Sequence, residues 1–424
     1  MRVSRPPIPR WVRRQAAACC CGTVTEPDST VAAHSLLLTL NAGSSSVKFA
    51  VYATTDGLPL LAAGQVEGLG TCTTFSVTSA GASRSDHSVQ LGHGVAGHAE
   101  AVHVILRWLE QAHAGIRVAV VSHRVVHGGI DHRVPVLIDD ALVADLERLV
   151  PLAPLHQPHN LAGIRAARMA FPVAPQIACF DTSFHRNHSF VADTFALPRS
   201  FYDEGVRRYG FHGLSYEFMA RRLRAYDPVL AHGRVIVAHL GNGASMCAMR
   251  EGRSVASTMG FSALDGLPMG TRCGQLDPGV VLYLMTEKGM DAAAIAQLLY
   301  QQAGLKGMSG LSHDVRELQS SDSPAARDAL AYFAYRGRRE IGGLAASLGG
   351  LDALVLTGGI GENAAAVRAA MLGGMDWMGI QIDPEANQHN ATVISLPASR
   401  VTVVVFRTDE ERMLAEHAAE LVGL

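Results

Sequence analysis

Apolar positions along the chain fall into blocks of two kinds, separated by polar or glycine-rich stretches. Short continuous apolar runs begin at Leu36 and recur at residues 118–126, 176–180, 235–249, 354–356 and 401–406, and these predict buried strands. Residues 60–97 mix short Thr/Val-rich runs with Gly and Ser and predict β-hairpins. The other blocks have helical spacing. In residues 99–112, Val102, Ile105, Leu106 and Leu109 share one face, and residues 139–149 form an amphipathic helix opened by an aspartate pair. Asn160 is placed to cap a helix over 161–170, with Pro172 beyond its end. Helices are expected around 279–288 and 291–302, from Ser323-Pro324 towards Leu348, and over 410–422 at the end of the chain.

Two of the strand blocks have the same internal plan. Residues 235–249, VIVAHLGNGASMCAM, read as strand, tight glycine turn, strand. Residues 36–52, LLLTLNAGSSSVKFAVY, repeat it, with Asn41, Ala42, Gly43, Ser44, Ser45 and Ser46 at the turn and Lys48 on the second strand. Glycine turns let the backbone approach a ligand, and their amide N–H groups suit an anion. Strands and helices alternate in both halves. The expected fold class is therefore α/β with two similar domains, a duplicated core holding nucleotide between its halves.

Composition narrows this picture. At 424 residues the chain can build two cores. It is 48% hydrophobic and 17% charged with a net charge of −2, so no broad basic surface is implied and nucleic acid is a poor partner. No apolar run nears the roughly 18–20 residues of a membrane span. The seven cysteines show neither CxxC nor zinc spacing, which fits a reducing cytoplasm. Residues 1–34, with five arginines among prolines and the run Cys19, Cys20, Cys21, read as an extension without regular structure.

Several clusters could carry chemistry. Ser122 to His127 contains an HxxxH spacing, but on a strand residues four apart stand roughly 13 Å apart, too far for one metal ion. Arg124, at the end of a hydrophobic strand, needs an anion or a structural ion pair. Thr271 and Arg272 close a glycine-containing loop, and loop-borne arginines suit bidentate capture of carboxylate or phosphate. His212 sits between glycines in YGFHG. Asp181 and the cluster Asp409, Glu410, Glu411 follow strands and could hold Mg²⁺, although the cluster equally reads as the acidic first turn of the last helix. The P-loop signature is absent.

Taken together, the motifs LNAGSSSVKF, SHRVVHGG, APLHQPHN, FDTSFH, RRYGFHGLSYEF, HLGNGASM, MGFSALDGLPMGTRCGQLDPG and LTGGIGENAAAVR resemble the acetokinase family, of the acetate and sugar kinase/Hsp70/actin superfamily. The resemblance runs from about Leu36 to the C-terminus. It implies a two-domain duplicated ribonuclease H-like (actin-like ATPase) fold with the active-site cleft between domains. The N-terminal domain would span 35–182 and the nucleotide-binding domain 183–410, with the closing helix 411–424 packing back on the former. It implies reversible transfer of the ATP γ-phosphoryl group to acetate, giving acetyl phosphate and ADP, with propionate or butyrate as the alternative acceptor. Asp181, His212 and Arg272 would be catalytic. Arg124 would bind the acetyl carboxylate, and Val126, Leu155 and Phe211 would form the methyl pocket. Lys48, His239, Leu240, Gly241, Asn242, Gly243, Asp314, Val315, Arg316, Gly359, Ile360, Gly361, Glu362 and Asn363 would line the ATP site. Asn41 and Glu410 would hold Mg²⁺ (or Mn²⁺), with Glu411 adjoining. A cytoplasmic homodimer with phosphate acetyltransferase as pathway neighbour is also implied.

Two positions depart from the family pattern. Ala263 stands where the family usually has proline, bordering the methyl pocket, which leaves room for propionate. Tyr216 replaces a common histidine, and its contact is open at this point. The residues also favour a carboxylate acceptor on chemical grounds. Acetate, with a pKa near 4–5 like Glu, is already ionised at pH 7 and needs positive charge more than a base. Phosphoryl transfer depends mainly on positioning and on charge stabilisation, so Asp181 would act through metal or water positioning.

Overall fold

Leu36, Leu38 and Leu40 face one buried cluster while Leu37 between them faces another, so the first strand is covered on both sides. The strand at 234–240 repeats this, with Ile236, Ala238 and Leu240 on one side and Val235 and Val237 on the other. Each strand is the centre of its own sheet. The architecture comes from a computed structural model that describes residues 35–43, 45–82, 87–92 and 94–424. The expectations about residues 1–34, including Cys19 to Cys21, and about Ser44 lie outside the described residues.

The first sheet contains β1 (Leu36–Ala42), β2 (Ser46–Ala53), β3 (Leu60–Glu67), β4 (Thr73–Ser79), β5 (His87–Gly92), β6 (Val118–Val125), β7 (Val136–Leu137) and β8 (Gln176–Phe180), in the order β5-β4-β3-β2-β1-β6-β8-β7. The second contains β9 (Arg234–Leu240), β10 (Ala244–Arg250), β11 (Arg253–Ser257), β12 (Ala353–Thr357) and β13 (Thr402–Val405), in the order β11-β10-β9-β12-β13. In the first sheet β1 is antiparallel to β2 and parallel to β6, which is parallel to β8. In the second, β9 is antiparallel to β10 and parallel to β12, which is parallel to β13. The segment β3-β2-β1-β6-β8 thus has the order and directions of the whole second sheet. The duplication expected from the paired hairpins is present as topology, in an α/β fold.

Helices cover both faces of each sheet. Helices His98–Ala112 and Gln157–Ala170 pack on one side of the first sheet, burying Ile105, Leu109 and Ala167 against Leu38 and Val51. The last helix, Glu410–Val422, lies on β1 and β6 with Met413 and Leu414 against Leu37 and Val120. In the second sheet the long helix Pro324–Leu348 places Phe333 and Ile341 against Ile236, and helix Gly213–Tyr226 places Met219 and Leu223 against Val237. Each fully buried side chain of this kind contributes about 1.5–3 kcal/mol, and a one-residue slip of β1 or β9 would exchange their two faces. Among the described residues, no helix is long and apolar enough to cross a membrane.

One local expectation is corrected. Asn160 does not cap a helix starting at Leu161, because that helix begins at Gln157, with Pro158 in its first turn. Asn160 sits one turn inside, where Oδ1 accepts from Val126 N (2.9 Å) and Nδ2 donates to Ala42 O (2.8 Å). Tertiary partners have taken the side chain from its capping role, and it ties the end of β6 to the first hairpin.

Candidate active site

β6 and β8 run side by side, with Val125 opposite Phe180, so the side chains at their C-terminal ends meet. Arg124 is on β6 itself, whereas Arg272 is on a loop. Its Nε donates to both oxygens of Asp181 at 3.1 Å and its Nη2 to Oδ2 at 2.6 Å. Nη1 lies 3.3 Å from Asn41 Oδ1 on the neighbouring strand β1, and 3.7 Å from Glu410 Oε2. The ion pair that the strand position allowed is therefore formed. Burial alone would lower the Arg124 guanidinium, but Asp181 and Glu410 hold it above its ordinary value. Burial raises the Asp181 carboxyl against the opposing pull of Arg124.

Glu410 and Glu411 separate cleanly. Burial works against ionisation of Glu410, but Arg124, His239 and Lys48 outweigh it and hold the carboxyl below its usual value. Glu411 is raised, by burial and then by Glu410, and lines a groove with Lys48, Tyr52, Arg407 and Asp409. The acidic cluster also serves the helix, since Asp409 accepts from Arg412 N as its cap. Asn41, Asp181 and Glu410 place an amide and two carboxylates around one cationic group, an all-oxygen set that suits a hard divalent cation.

His212 starts helix Gly213–Tyr226 in the left-handed region, φ 58°, a conformation in which a non-glycine residue stores strain. Asp181 O accepts from Gly213 N at 2.9 Å, which fixes that helix end beside β8. The His212 ring stacks on His239, centroids 4.4 Å apart, and its Nδ1 is 2.8 Å from Ser245 Oγ. Burial, then His239, Arg124 and Arg272, push its imidazole well below the usual range, so it is neutral. Burial also lowers His239, whose Nδ1 is 2.8 Å from Ser215 Oγ.

The second hairpin turn carries Gly241, Asn242 and Gly243, and Asn242 O accepts from Gly270 N at 3.0 Å, which zips the turn to the loop bearing Arg272. A Cβ at Gly243 would lie 3.3 Å from His212 Nε2 and 3.8 Å from Arg272 Nη1. The two nitrogens thus converge on a spot that only glycine leaves open. Arg272 has no carboxylate partner among the described residues. It donates to Ala263 O at 3.2 Å and contacts His156 Nε2 at 3.5 Å, and burial is the main influence lowering it. His156 is driven down to about 3 by burial and then by Arg272 and Arg124, so its ring accepts.

The remaining candidates are spread more widely. Gly358, φ 76°, packs against Leu240, and helix Gly358–Asn363 follows β12 directly with Gly359 and Asn363 exposed beside half-buried Ile360. Gly361 is buried, and Glu362 Oε1 accepts from Gly358 N (3.0 Å) and Thr408 N (3.3 Å), joining this turn to the end of β13. Leu240 and Val315 are core residues, and Asp314 caps helix Val315–Gln319 while pairing with exposed Arg316. Lys48 is exposed on β2 opposite Asn41. Val126 and Phe211 share one buried cluster, and Leu155 is half-buried in the turn before helix Gln157–Ala170. Ser245, Ser215, Tyr216 and His156 touch the site although no role was read for them. Each lies inside a motif quoted above, and Ser245 follows Gly243 by two residues, at the start of β10.

The acetokinase family model matches residues 36–416. The acetate kinase of Methylocella silvestris is 56% identical over 395 residues, covering 91% of this chain and 98% of that protein. The crystal structure of Porphyromonas gingivalis acetate kinase matches with a TM-score of 0.82 at 36% identity, covering 92% of this chain and all of the other. A propionate kinase from Francisella tularensis matches with a TM-score of 0.85 at 32% identity, over 91% of this chain and 99% of that chain. The chain belongs to the acetokinase family.

Proposed function

We propose that this chain is an acetate kinase, transferring the γ-phosphoryl group of ATP directly and reversibly to acetate to give acetyl phosphate and ADP. The observation that carries the reading is the makeup of the site: two arginines and a neutral histidine converge, and its buried aspartate is already engaged by a guanidinium. Such a site is short of a free base and rich in donors. A hydroxyl acceptor would need the base, whereas a carboxylate acceptor needs its repulsion from ATP offset. Arg124 would hold the acetate carboxylate, with its methyl group among Val126, Leu155 and Phe211. His212 and Arg272 would donate to the equatorial oxygens of the transferring group, where charge spreads during transfer.

Lys48, the hairpin His239 to Gly243, helix Gly358–Asn363 and the turn Asp314 to Arg316 would line the nucleotide. Asn41 and Glu410, with Asp181 as the positioning carboxylate, would hold Mg²⁺ or Mn²⁺. When bound, that ion would neutralise phosphate charge and orient the phosphates. Residues 35–182 with the closing helix, and 183–410, would act as two lobes closing over ATP to exclude water. Free Cys72, Cys179, Cys247 and Cys273 agree with a cytoplasmic setting. A phosphate acetyltransferase is the expected consumer or supplier of acetyl phosphate.

A homodimer is part of the reading, and one helix supports it. Helix Pro278–Thr286 carries Val280, Leu282, Tyr283 and Met285, exposed at 40%, 62%, 49% and 49%, and buries none of its residues. A helix with this much bare apolar side chain supports a subunit contact there.

Propionate is the second acceptor. Ala263 packs beside the core next to the pocket and its carbonyl holds Arg272, so the smaller residue leaves space where proline would fill it. The test is a hydroxylamine trap for acyl phosphate with acetate, propionate and butyrate side by side. Hydroxamate with acetate in excess is expected, and none from any of the three rejects the reading.

A further inference from the structure

Tyr216 lies one helical turn into helix Gly213–Tyr226 and is fully buried between Phe184, His185 and the second sheet. Among the described residues its hydroxyl has one hydrogen-bond partner, Ser245 Oγ on β10. The same Ser245 oxygen is 2.8 Å from His212 Nδ1. Three side chains therefore form one line, Tyr216–Ser245–His212, and the far nitrogen of the histidine, Nε2, faces Gly243 with Arg272 Nη1 beside it.

The protons on this line can be assigned by counting donors and acceptors. The imidazole is neutral and carries one N–H, the two hydroxyls carry one hydrogen each, and only two contacts join them. If His212 carried its proton on Nδ1 and donated to Ser245, the serine would either donate back to Tyr216 or accept from both neighbours. In the first case the buried phenol hydrogen has no acceptor, and in the second the serine hydrogen has none. Both leave a buried donor unmade, which native interiors avoid. One arrangement leaves no donor on the line unmade: Tyr216 donates to Ser245 Oγ, Ser245 donates to His212 Nδ1, and the imidazole proton sits on Nε2, which opens on the space at Gly243.

We propose that Tyr216, acting through Ser245, is a positioning residue that locks His212 in its Nε2–H tautomer, so that a neutral histidine presents a donor to the anion at the Gly243 turn. No proton is transferred along the line; it fixes which nitrogen donates. The consequence for catalysis rests on the acetate kinase reading, but the tautomer itself does not. A phenol keeps its hydrogen at any working pH, and burial raises this one further. It is a fixed-direction donor, where a second imidazole could reverse the line.

The test is nitrogen NMR of the full chain labelled with ¹⁵N-histidine, with the His212 signals assigned by their loss in His212→Gln. The wild type should show an unprotonated Nδ1 and a protonated Nε2. Tyr216→Phe, which keeps the ring and its packing, should shift that signal pair towards tautomer averaging and lower kcat about tenfold with both KM values within about twofold. Restoring a hydroxyl-free but correctly packed line with Tyr216→Phe/Ser245→Ala should not lower kcat much further, since both act through one nitrogen. A wild-type spectrum with protonated Nδ1 overturns the proposal whether or not the protein phosphorylates acetate. So does a Tyr216→Phe spectrum identical to wild type. An absence of acetate phosphorylation with the Nε2–H tautomer intact would reject only the functional reading.

Discussion

Arg124 and Asp181 form a bidentate pair across the ends of two parallel strands, with Nη2–Oδ2 at 2.6 Å and both carboxylate oxygens 3.1 Å from Nε. Each group orients the other: the aspartate fixes the guanidinium plane, and its Nη1 is left aimed at Asn41 and Glu410. Asp181→Asn keeps the shape but removes the charge. In steady-state kinetics it should reduce kcat by about 10²-fold or more while acetate KM moves by less than about threefold. Arg124→Ala should instead raise acetate KM by about tenfold or more. A pure KM effect for the aspartate would overturn its positioning role, and an unchanged KM for the arginine would place the carboxylate site elsewhere.

The glycine at position 243 can be tested in the same assay. Its backbone is not in the left-handed region, so alanine is tolerated conformationally, but the added methyl group would sit 3.3 Å from His212 Nε2. Gly243→Ala should fold with a melting temperature within a few degrees of wild type and lose about 10²-fold in kcat/KM for ATP. Full activity would show that the transferring phosphate does not occupy this spot.

Much of this site was legible because its residues sit in short motifs whose turn chemistry is local. The two hairpins, the strands ending at Arg124 and Asp181, and the glycine turn at 358–363 follow from apolar runs meeting glycine or polar residues. What was not legible depends on contacts between distant segments. Asn160 looks like a helix cap locally and becomes a clamp only because Ala42, 118 positions earlier, comes within 2.8 Å. The partners of Tyr216 and His156 are likewise 29 and 116 positions away, beyond any periodicity a linear pattern carries. Val315 shows the converse: the family resemblance implies a place along the nucleotide for it, yet its side chain is core.

Acceptor size should respond to Ala263. Its amide makes no backbone hydrogen bond among the described residues, and its carbonyl, which holds Arg272 at 3.2 Å, is retained by proline. Ala263→Pro should lower kcat/KM for propionate relative to acetate by about tenfold, the usual worth of one methylene in a tight pocket. An unchanged ratio in the hydroxamate assay would remove this residue from the pocket wall.

The bare helix predicts an assembly state. Leu282→Glu places a charge on its most exposed leucine, at 62%, without touching either core. Light scattering coupled to gel filtration should give a dimer of twice 45.0 kDa for the wild type and the monomer mass for the variant. A wild-type monomer would remove the dimer reading for that helix.

Stability should fall on the acid side for an identifiable reason. His123 is fully buried, its ring lies 2.7 Å from Gln176 Oε1, and burial depresses its pKa to about 4. Because the amide oxygen only accepts, Nε2 must donate, and burial keeps the ring neutral above about pH 4. The unfolded chain would titrate this histidine near its ordinary value of about 6.5, so between there and 4 the unfolded state binds more protons. The contribution is therefore complete above pH 6.5, is lost as pH falls towards 4, and changes no further below it; it amounts to on the order of 3 kcal/mol for this group alone. His127, at about 3, and His188, at about 4, act in the same direction, again chiefly through burial. Asp181, raised by burial, acts in the opposite one. Thermal melts at constant ionic strength should show a steep drop in Tm from pH 6.5 to 4.5. His123→Asn, which cannot take up the proton, should flatten that drop even if its Tm at pH 7.5 is lower. Parallel curves for the two proteins would show that His123 is protonated in the folded state and that its burial is not the source of the acid sensitivity.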